Sequence, residues 1–137
     1  MRILLIDDEV RKARATVDYF REVCDWNVDF ASGPDSALEM LKTTHDLTYD
    51  VIILDVMMDP GTAIPRERSG GGRDTGLVLL ESINRLTGGS IMVVLYTART
   101  DLDHLKNERK VAGYIQKPRT VRELAREIED LIAERRL

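Results

Sequence analysis

The chain lacks the residues that would open several functional classes. One cysteine, Cys24, in 137 residues cannot close an internal disulfide. That excludes a cross-linked scaffold, fits a reducing cytosol, and leaves Cys24 to pack as a small hydrophobe near a helix end. The two histidines, His45 and His104, are too scattered to make a zinc site. No apolar run approaches a membrane span, and Met1 leads straight into a strand pattern without a basic and apolar leader, so the expected location is the cytoplasm, with no membrane contact. Positive charge is not in excess either: 20 Lys and Arg face 24 Asp and Glu, a formal charge of −4. Such a balance keeps a protein soluble but offers no global attraction to nucleic acid, so direct nucleic-acid binding is not expected.

What is present alternates between two patterns. Ile3 to Ile6, Val51 to Leu54 and Ile91 to Leu95 are short, continuous and rich in branched residues, as central parallel strands are. Val28 and Phe30 flank Asp29, the alternation of an edge strand, and a short fifth strand is expected around Tyr114 and Ile115, closed by Pro118. Helical spacing lies between. Ala13, Val17 and Phe20 share one face, as do Ala37, Leu38 and Leu41 after a start with Ser32 as cap and Pro34 in the first turn. Leu79, Leu80, Ile83 and Leu86 mark a third helix, and a weak, charged fourth falls within Asp101 to Lys110. The last helix carries Val121, Leu124, Ile128, Leu131 and Ile132 on one stripe, with Arg122, Glu123, Arg126, Glu127, Asp130 and Glu134 opposite. The order is β then α, five times over, which predicts one α/β domain: a doubly wound five-stranded parallel sheet with helices on both faces.

The segment VIILDVMMDPG, Val51 to Gly61, ends a fully apolar strand on Asp55, and the first strand ends on Asp7, Asp8 and Glu9. Burying an ionised carboxylate is expensive, so such placement asks for a partner. In an open parallel sheet ligands bind outside the carboxyl ends of the strands. There Asp7 and Asp8 follow the first strand, Asp55 the third, Thr97 the fourth and Lys117 the fifth. Three carboxylates together repel and need a cation, and their hard oxygens suit Mg²⁺. A metal beside Asp55, with a hydroxyl and an ammonium opposite, is a site for a phosphoryl group, with an in-line carboxylate as nucleophile. Asp55 is therefore expected to be phosphorylated. Each residue alone has a plainer use as a turn former, cap or loop residue; it is the set on one sheet edge that carries the reading.

Over essentially its whole length the chain resembles the receiver domains of two-component response regulators. The resemblance is carried by LLIDDE for the acidic pair, VIILDVMM for the phosphoacceptor strand, VVLYTAR for the hydroxyl and GYIQKP for the aromatic and lysine. It implies the flavodoxin-like (βα)5 sheet with strand order 2-1-3-4-5. It also implies that Asp8 ligates Mg²⁺ directly and Asp7 mostly through water, that Asp55 becomes the aspartyl phosphate, and that the Met57 carbonyl is a further metal ligand. Thr97 would be drawn to the phosphoryl group, Tyr114 matches the switch aromatic, and Lys117-Pro118 would be cis. The implied protein is a regulatory switch and not an enzyme of metabolism. It takes a phosphoryl group from a sensor histidine kinase or histidine phosphotransfer protein and signals through a downstream effector protein. With no effector segment after Leu137, a stand-alone receiver is expected.

The chain departs from the family's pattern at three places, most visibly in one stretch. DPGTAIPRERSGGGRD, Asp59 to Asp74, holds two of the four prolines and four of the nine glycines where a short connection usually suffices. An extended loop over about residues 59–73 is expected between the third strand and third helix, mobile, with Arg66, Arg68 and Arg73 as a flap over the site or a partner surface. The interval from Thr97 to Lys117 is also short, and Arg119 stands where the family often has an aromatic. Two rival readings remain: a Mg²⁺-dependent phosphohydrolase of the haloacid dehalogenase type, and a degenerate receiver that only binds.

Overall fold

A computed structural model describes residues 1–43 and 49–136, the side chain of residue 136 excepted; His45 lies outside the described residues. The elements run β1 (Arg2–Ile6), α1 (Val10–Glu22), β2 (Asn27–Ala31), α2 (Pro34–Thr43), β3 (Val51–Leu54), α3 (Thr75–Thr87), β4 (Met92–Thr97), α4 (Asp103–Asn107), β5 (Gly113–Gln116) and α5 (Val121–Arg136). All strand pairs are parallel and the order is β2-β1-β3-β4-β5, as the resemblance implied.

The continuous apolar runs are explained by two cores, one on each face of the sheet. Leu4 and Ile6, Ile52 and Leu54, and Val93 and Leu95 join Ala37 of α2, Leu79, Leu80 and Ile83 of α3, and Leu105 of α4. Their strand neighbours Ile3 and Leu5, Val51 and Ile53, and Met92 and Val94 join Ala13, Val17 and Phe20 of α1 and Leu124 and Ile128 of α5. Side chains alternate across a strand, so inner strands with both faces covered are apolar at every position. Each fully buried Ile or Leu contributes about 1.5–3 kcal/mol. Register is fixed further along, where a slip of one residue would drag Asp55 into the core.

Several boundaries differ from the sequence reading. β4 extends two residues past Leu95, so Thr97 is its last residue and does not follow it. α2 begins at Pro34 directly after Gly33, whose carbonyl accepts from the Ala37 N–H, so the expected Ser32 cap stands one residue outside. Leu86 is 48% exposed although it shares the stripe of Leu79 and Ile83: it lies in the last turn of α3, just before the left-handed Gly88, where the stripe runs past the core. The charged fourth helix is only five residues long. Cys24 sits just beyond the end of α1, partly buried against the core. Among the described residues no helix is long and apolar enough to cross a membrane.

Candidate functional site

Parallel pairing brings the carboxyl ends of β1, β3 and β4 level. Ile6 pairs with Leu54, and Leu54 with Leu95, so Asp7 and Asp55 leave the sheet side by side. Hydrogen bonds extend this order beyond the strands: the Asp55 N–H donates to the Ile6 carbonyl at 3.0 Å, and the Asp7 N–H to the Ala31 carbonyl at 3.1 Å. Oxygens of Asp7, Asp8 and Asp55 all lie within 4.8 Å of one another, the one such acidic cluster among the described residues. Asp7 and Asp55 are each 5% exposed, whereas Asp8 faces solvent.

Lys117 supplies the counter-charge. It follows β5, its N–H donates to the Thr97 carbonyl at 2.8 Å, and its Nζ donates to Asp7 Oδ2 at 2.7 Å and Asp55 Oδ2 at 3.1 Å. Glu9 Oε1 is 3.6 Å from the same ammonium, and the Tyr96 ring lies under it, 5.2 Å from Nζ to the centroid. The Lys117-Pro118 peptide is cis. Burial raises the Asp55 carboxyl above its ordinary value; Lys117 opposes this and Asp7 adds to it. Burial pulls the Lys117 ammonium down, but the Asp7 and Asp55 carboxylates outweigh it and its pKa is raised. The site thus holds a carboxylate whose charge is poorly solvated and only partly neutralised. Such a group gains from a divalent cation, and the three carboxylates offer the hard oxygen donors that Mg²⁺ takes.

Thr97 is fully buried at the end of β4, and its Oγ1 accepts the Arg99 N–H at 3.3 Å. The half-buried Tyr114 donates its hydroxyl to the Arg99 carbonyl. Met57 is half-buried in the turn that follows Asp55. Gly76 opens α3 against that turn: its N–H donates to the Val56 carbonyl at 2.8 Å, and a Cβ there would lie 2.2 Å from the Asp55 carbonyl oxygen. Only glycine fits so close an approach.

Between Met58 and Thr75 the chain makes its excursion, and it folds back on itself. The Met58 N–H donates to the Gly72 carbonyl at 3.1 Å and the Thr75 hydroxyl to the Met58 carbonyl at 2.6 Å, which closes the neck. Farther out, Asp35 at the start of α2 accepts from the Thr62 N–H at 2.9 Å, the Ala63 N–H at 2.7 Å and the Thr62 hydroxyl at 2.9 Å. Ile64 is buried in the core and Ser69 is fully buried. The three arginines expected as a flap pair elsewhere: Arg66 lies 3.8 Å from Asp59, Arg68 3.2 Å from Glu81 of α3, and Arg73 3.9 Å from Asp101. The segment touches the acidic cluster through its backbone instead, where the Asp59 N–H donates to Asp8 Oδ2 at 3.2 Å.

Sequence reasoning placed Glu9 at the end of the first strand without a role, and missed Arg99 and Tyr96 as parts of this edge. Glu9 and Arg99 stand two residues beyond Asp7 and Thr97, a spacing that itself places them at the rim. A cleft of about 1710 Å³ opens elsewhere, among Gly88, Ile91, Val111 and Leu131, and none of the three carboxylates lines it.

Residues 3–129 match the profile of the response regulator receiver domain, so the chain belongs to that family. The family is a signalling and regulatory module of two-component systems, and phosphorylation is its means of signalling. Solved structures agree in fold. The response regulator TrrA of Thermotoga maritima, described in complex with Mg²⁺-BeF, is 24% identical with a TM-score of 0.69, over 95% of this chain and 97% of that one. A two-component response regulator from Clostridium difficile is 19% identical with a TM-score of 0.74, over 97% and 96%. A CheY-like receiver domain protein from Methanospirillum hungatei is 21% identical with a TM-score of 0.70, over 97% and 94%. No curated protein matches the chain.

Proposed function

We propose that this receiver takes a phosphoryl group onto Asp55 from a phosphohistidine of a sensor kinase or phosphotransfer protein and signals through a partner protein. The observation that carries the reading is the Lys117 ammonium set between two buried carboxylates, 2.7 Å from Asp7 and 3.1 Å from Asp55. A carboxylate with one oxygen paired to a fixed cation is oriented, and its burial strips away the water that would blunt it as a nucleophile. Asp55 Oδ1 accepts the Val56 N–H at 2.7 Å, which orders the carboxylate further.

An Asp55 oxygen attacks phosphorus as the phosphorus–nitrogen bond to the donor imidazole breaks, and the imidazole nitrogen leaves with the bonding pair. Lys117 then has a phosphoryl oxygen to pair with, and the Thr97 hydroxyl has one to which it can donate. Asp7, Asp8, Asp55 and the Met57 carbonyl would hold Mg²⁺, which supplies neutralisation of the phosphoryl oxygens. The Mg²⁺-BeF complex of the similarly folded TrrA supports this choice of ion. Tyr114 is the proposed switch, turning as Thr97 is drawn inward.

The test is chemical. Acetyl phosphate with Mg²⁺ is expected to add one phosphoryl group, labile to hydroxylamine, at Asp55, and Asp55→Asn to abolish it. Labelling that survives in Asp55→Asn would refute the assignment. Sustained turnover of a generic phosphomonoester would favour the hydrolase instead.

A further inference from the structure

Arg99 has no part in the chemistry above, yet its side chain is only 8% exposed and is gripped from two segments. Nε and an Nη donate to Asp101 Oδ1 and Oδ2 at 2.9 and 2.7 Å, a two-pronged pair. The other Nη donates to Asp74 Oδ1 at 2.5 Å and to the Arg73 carbonyl at 3.2 Å. Asp101 lies in the turn between β4 and α4; Arg73 and Asp74 end the inserted segment at the start of α3. The same residue's peptide reaches the opposite way, its N–H to Thr97 Oγ1 and its carbonyl to the Tyr114 hydroxyl. Side chain and backbone of one residue therefore join the inserted segment to both groups proposed to move.

We propose that Arg99 is a positioning residue that couples the neck of the inserted segment to Thr97. Its fork fixes the β4–α4 turn to Asp74, and the fixed turn aims a peptide N–H at the Thr97 oxygen. With its oxygen engaged as an acceptor, the hydroxyl keeps its proton for a phosphoryl oxygen on Asp55. Lysine would not substitute, because a single ammonium lacks the planar fork that holds two carboxylates and a carbonyl at once. The proposal rests on the reading of Asp55 as phosphoacceptor and adds to it what sets the geometry of the hydroxyl.

Three variants of the full chain test it: Arg99→Met, Asp74→Asn and the two combined. Mg²⁺ with beryllofluoride is titrated by calorimetry, and the Thr97 methyl and Tyr114 ring signals are followed by NMR before any addition. Each single variant is expected to weaken beryllofluoride binding about threefold to tenfold, the double no more than Arg99→Met alone, because both cut one connection. Mg²⁺ affinity alone stays at the wild-type value, since Arg99 touches none of the three carboxylates, and the Thr97 and Tyr114 signals shift in every variant. Folded variants that bind beryllofluoride as wild type does, or strictly additive losses, overturn the proposal. If Arg99→Met fails to fold, the half-exposed Asp74 decides by itself. A wild-type protein that binds no beryllofluoride counts against Asp55 as phosphoacceptor, and the coupling then stands or falls on the Thr97 signal in Asp74→Asn.

Discussion

Two cations sit at the rim of this sheet, Arg99 buried and Lys117 partly so, and each is held by a pair of aspartates, yet the pairs differ in kind. The partners of Lys117, Asp7 and Asp55, have side chains 8% and 6% exposed. Those of Arg99, Asp74 and Asp101, are 41% and 53% exposed. Water solvates the acids around Arg99 whatever the arginine does, so that cluster loses little by standing still and works as a clamp. The acids around Lys117 have given up their water, and two carboxylates share one ammonium. A charge imbalance that packing does not relieve is an opening for a cation and an anion from outside. The electrostatics agree: Arg99 holds the Asp101 carboxyl down to about 2, whereas Asp55 stays raised despite its lysine.

The sharpest break of this contrast is Lys117→Met. It leaves two buried carboxylates unpaired, and removing one partner of such a pair costs about 3–5 kcal/mol at neutral pH. Phosphorylation by acetyl phosphate should fall about 100-fold or more. Urea unfolding should show the stability loss shrinking as pH falls, because Asp55, already raised by burial, then takes up a proton. Arg99→Met should be milder, about 1–2 kcal/mol in the same measurement, since the acids it abandons remain half-solvated. A larger loss than for Lys117→Met would erase the distinction between clamp and site.

Asp55→Asn should act in the opposite direction. A carboxyl whose folded pKa is raised binds protons more tightly in the folded state, so its ionisation destabilises the fold as pH rises through and above the unfolded value of about 3.9. Without divalent cations the variant should therefore gain about 1 kcal/mol at pH 7, and the gain should vanish below that value, as thermal melts across pH would show. The smallest effect is expected for Asp35→Asn. Hydrogen bonds from the Thr62 and Ala63 N–H groups hold the Asp35 carboxyl below its ordinary value. Its contribution is present above the unfolded pKa and lost as pH falls through the folded one. Being exposed, it should amount to less than about 1 kcal/mol, read as a pH-dependent difference in melting temperature between variant and wild type.

The fold was legible because its inner strands are buried on both faces, which leaves runs such as Val51 to Leu54 with no polar residue. The edge position of β2 was legible from Asp29, whose carboxylate binds the Arg2 guanidinium at 3.0 Å and the hydroxyl of the buried Tyr49 at 2.7 Å. Asp7, Asp8, Asp55, Thr97 and Lys117 could be placed on one edge because each stands at or just past a strand's carboxyl end, and in a parallel sheet all such ends lie together. Arg99 was not legible, since its partners Asp74 and Asp101 come from loops whose approach no periodicity encodes. The inserted segment was legible as a long connection over about residues 59–73, but its contacts were not, for a related reason. Its glycines suggest freedom, but what holds it are contacts distant in sequence, from Asp35, from the pocket that takes Ile64, and from its own neck.

That neck divides the inserted segment by how much change each part can take. The chain departs at Met58 and returns at Gly72 to Thr75, pinned to its own point of departure. Gly72 has φ 106°, and a Cβ there would lie 3.2 Å from the Met58 carbonyl oxygen, so the closure is itself hard to mutate. Outside the closure the segment is unequal. Ile64 fills a place in the core, and the buried Ser69 accepts the Gly72 and Asp74 N–H groups through its carbonyl, so these two positions are as constrained as the neck, while the exposed Arg66, Glu67 and Arg68 between them are free to change. A graft that keeps Met58, Ile64, Ser69, Gly72 and Thr75 would carry foreign exposed residues to within a few positions of Asp55 and leave the packing beneath them in place.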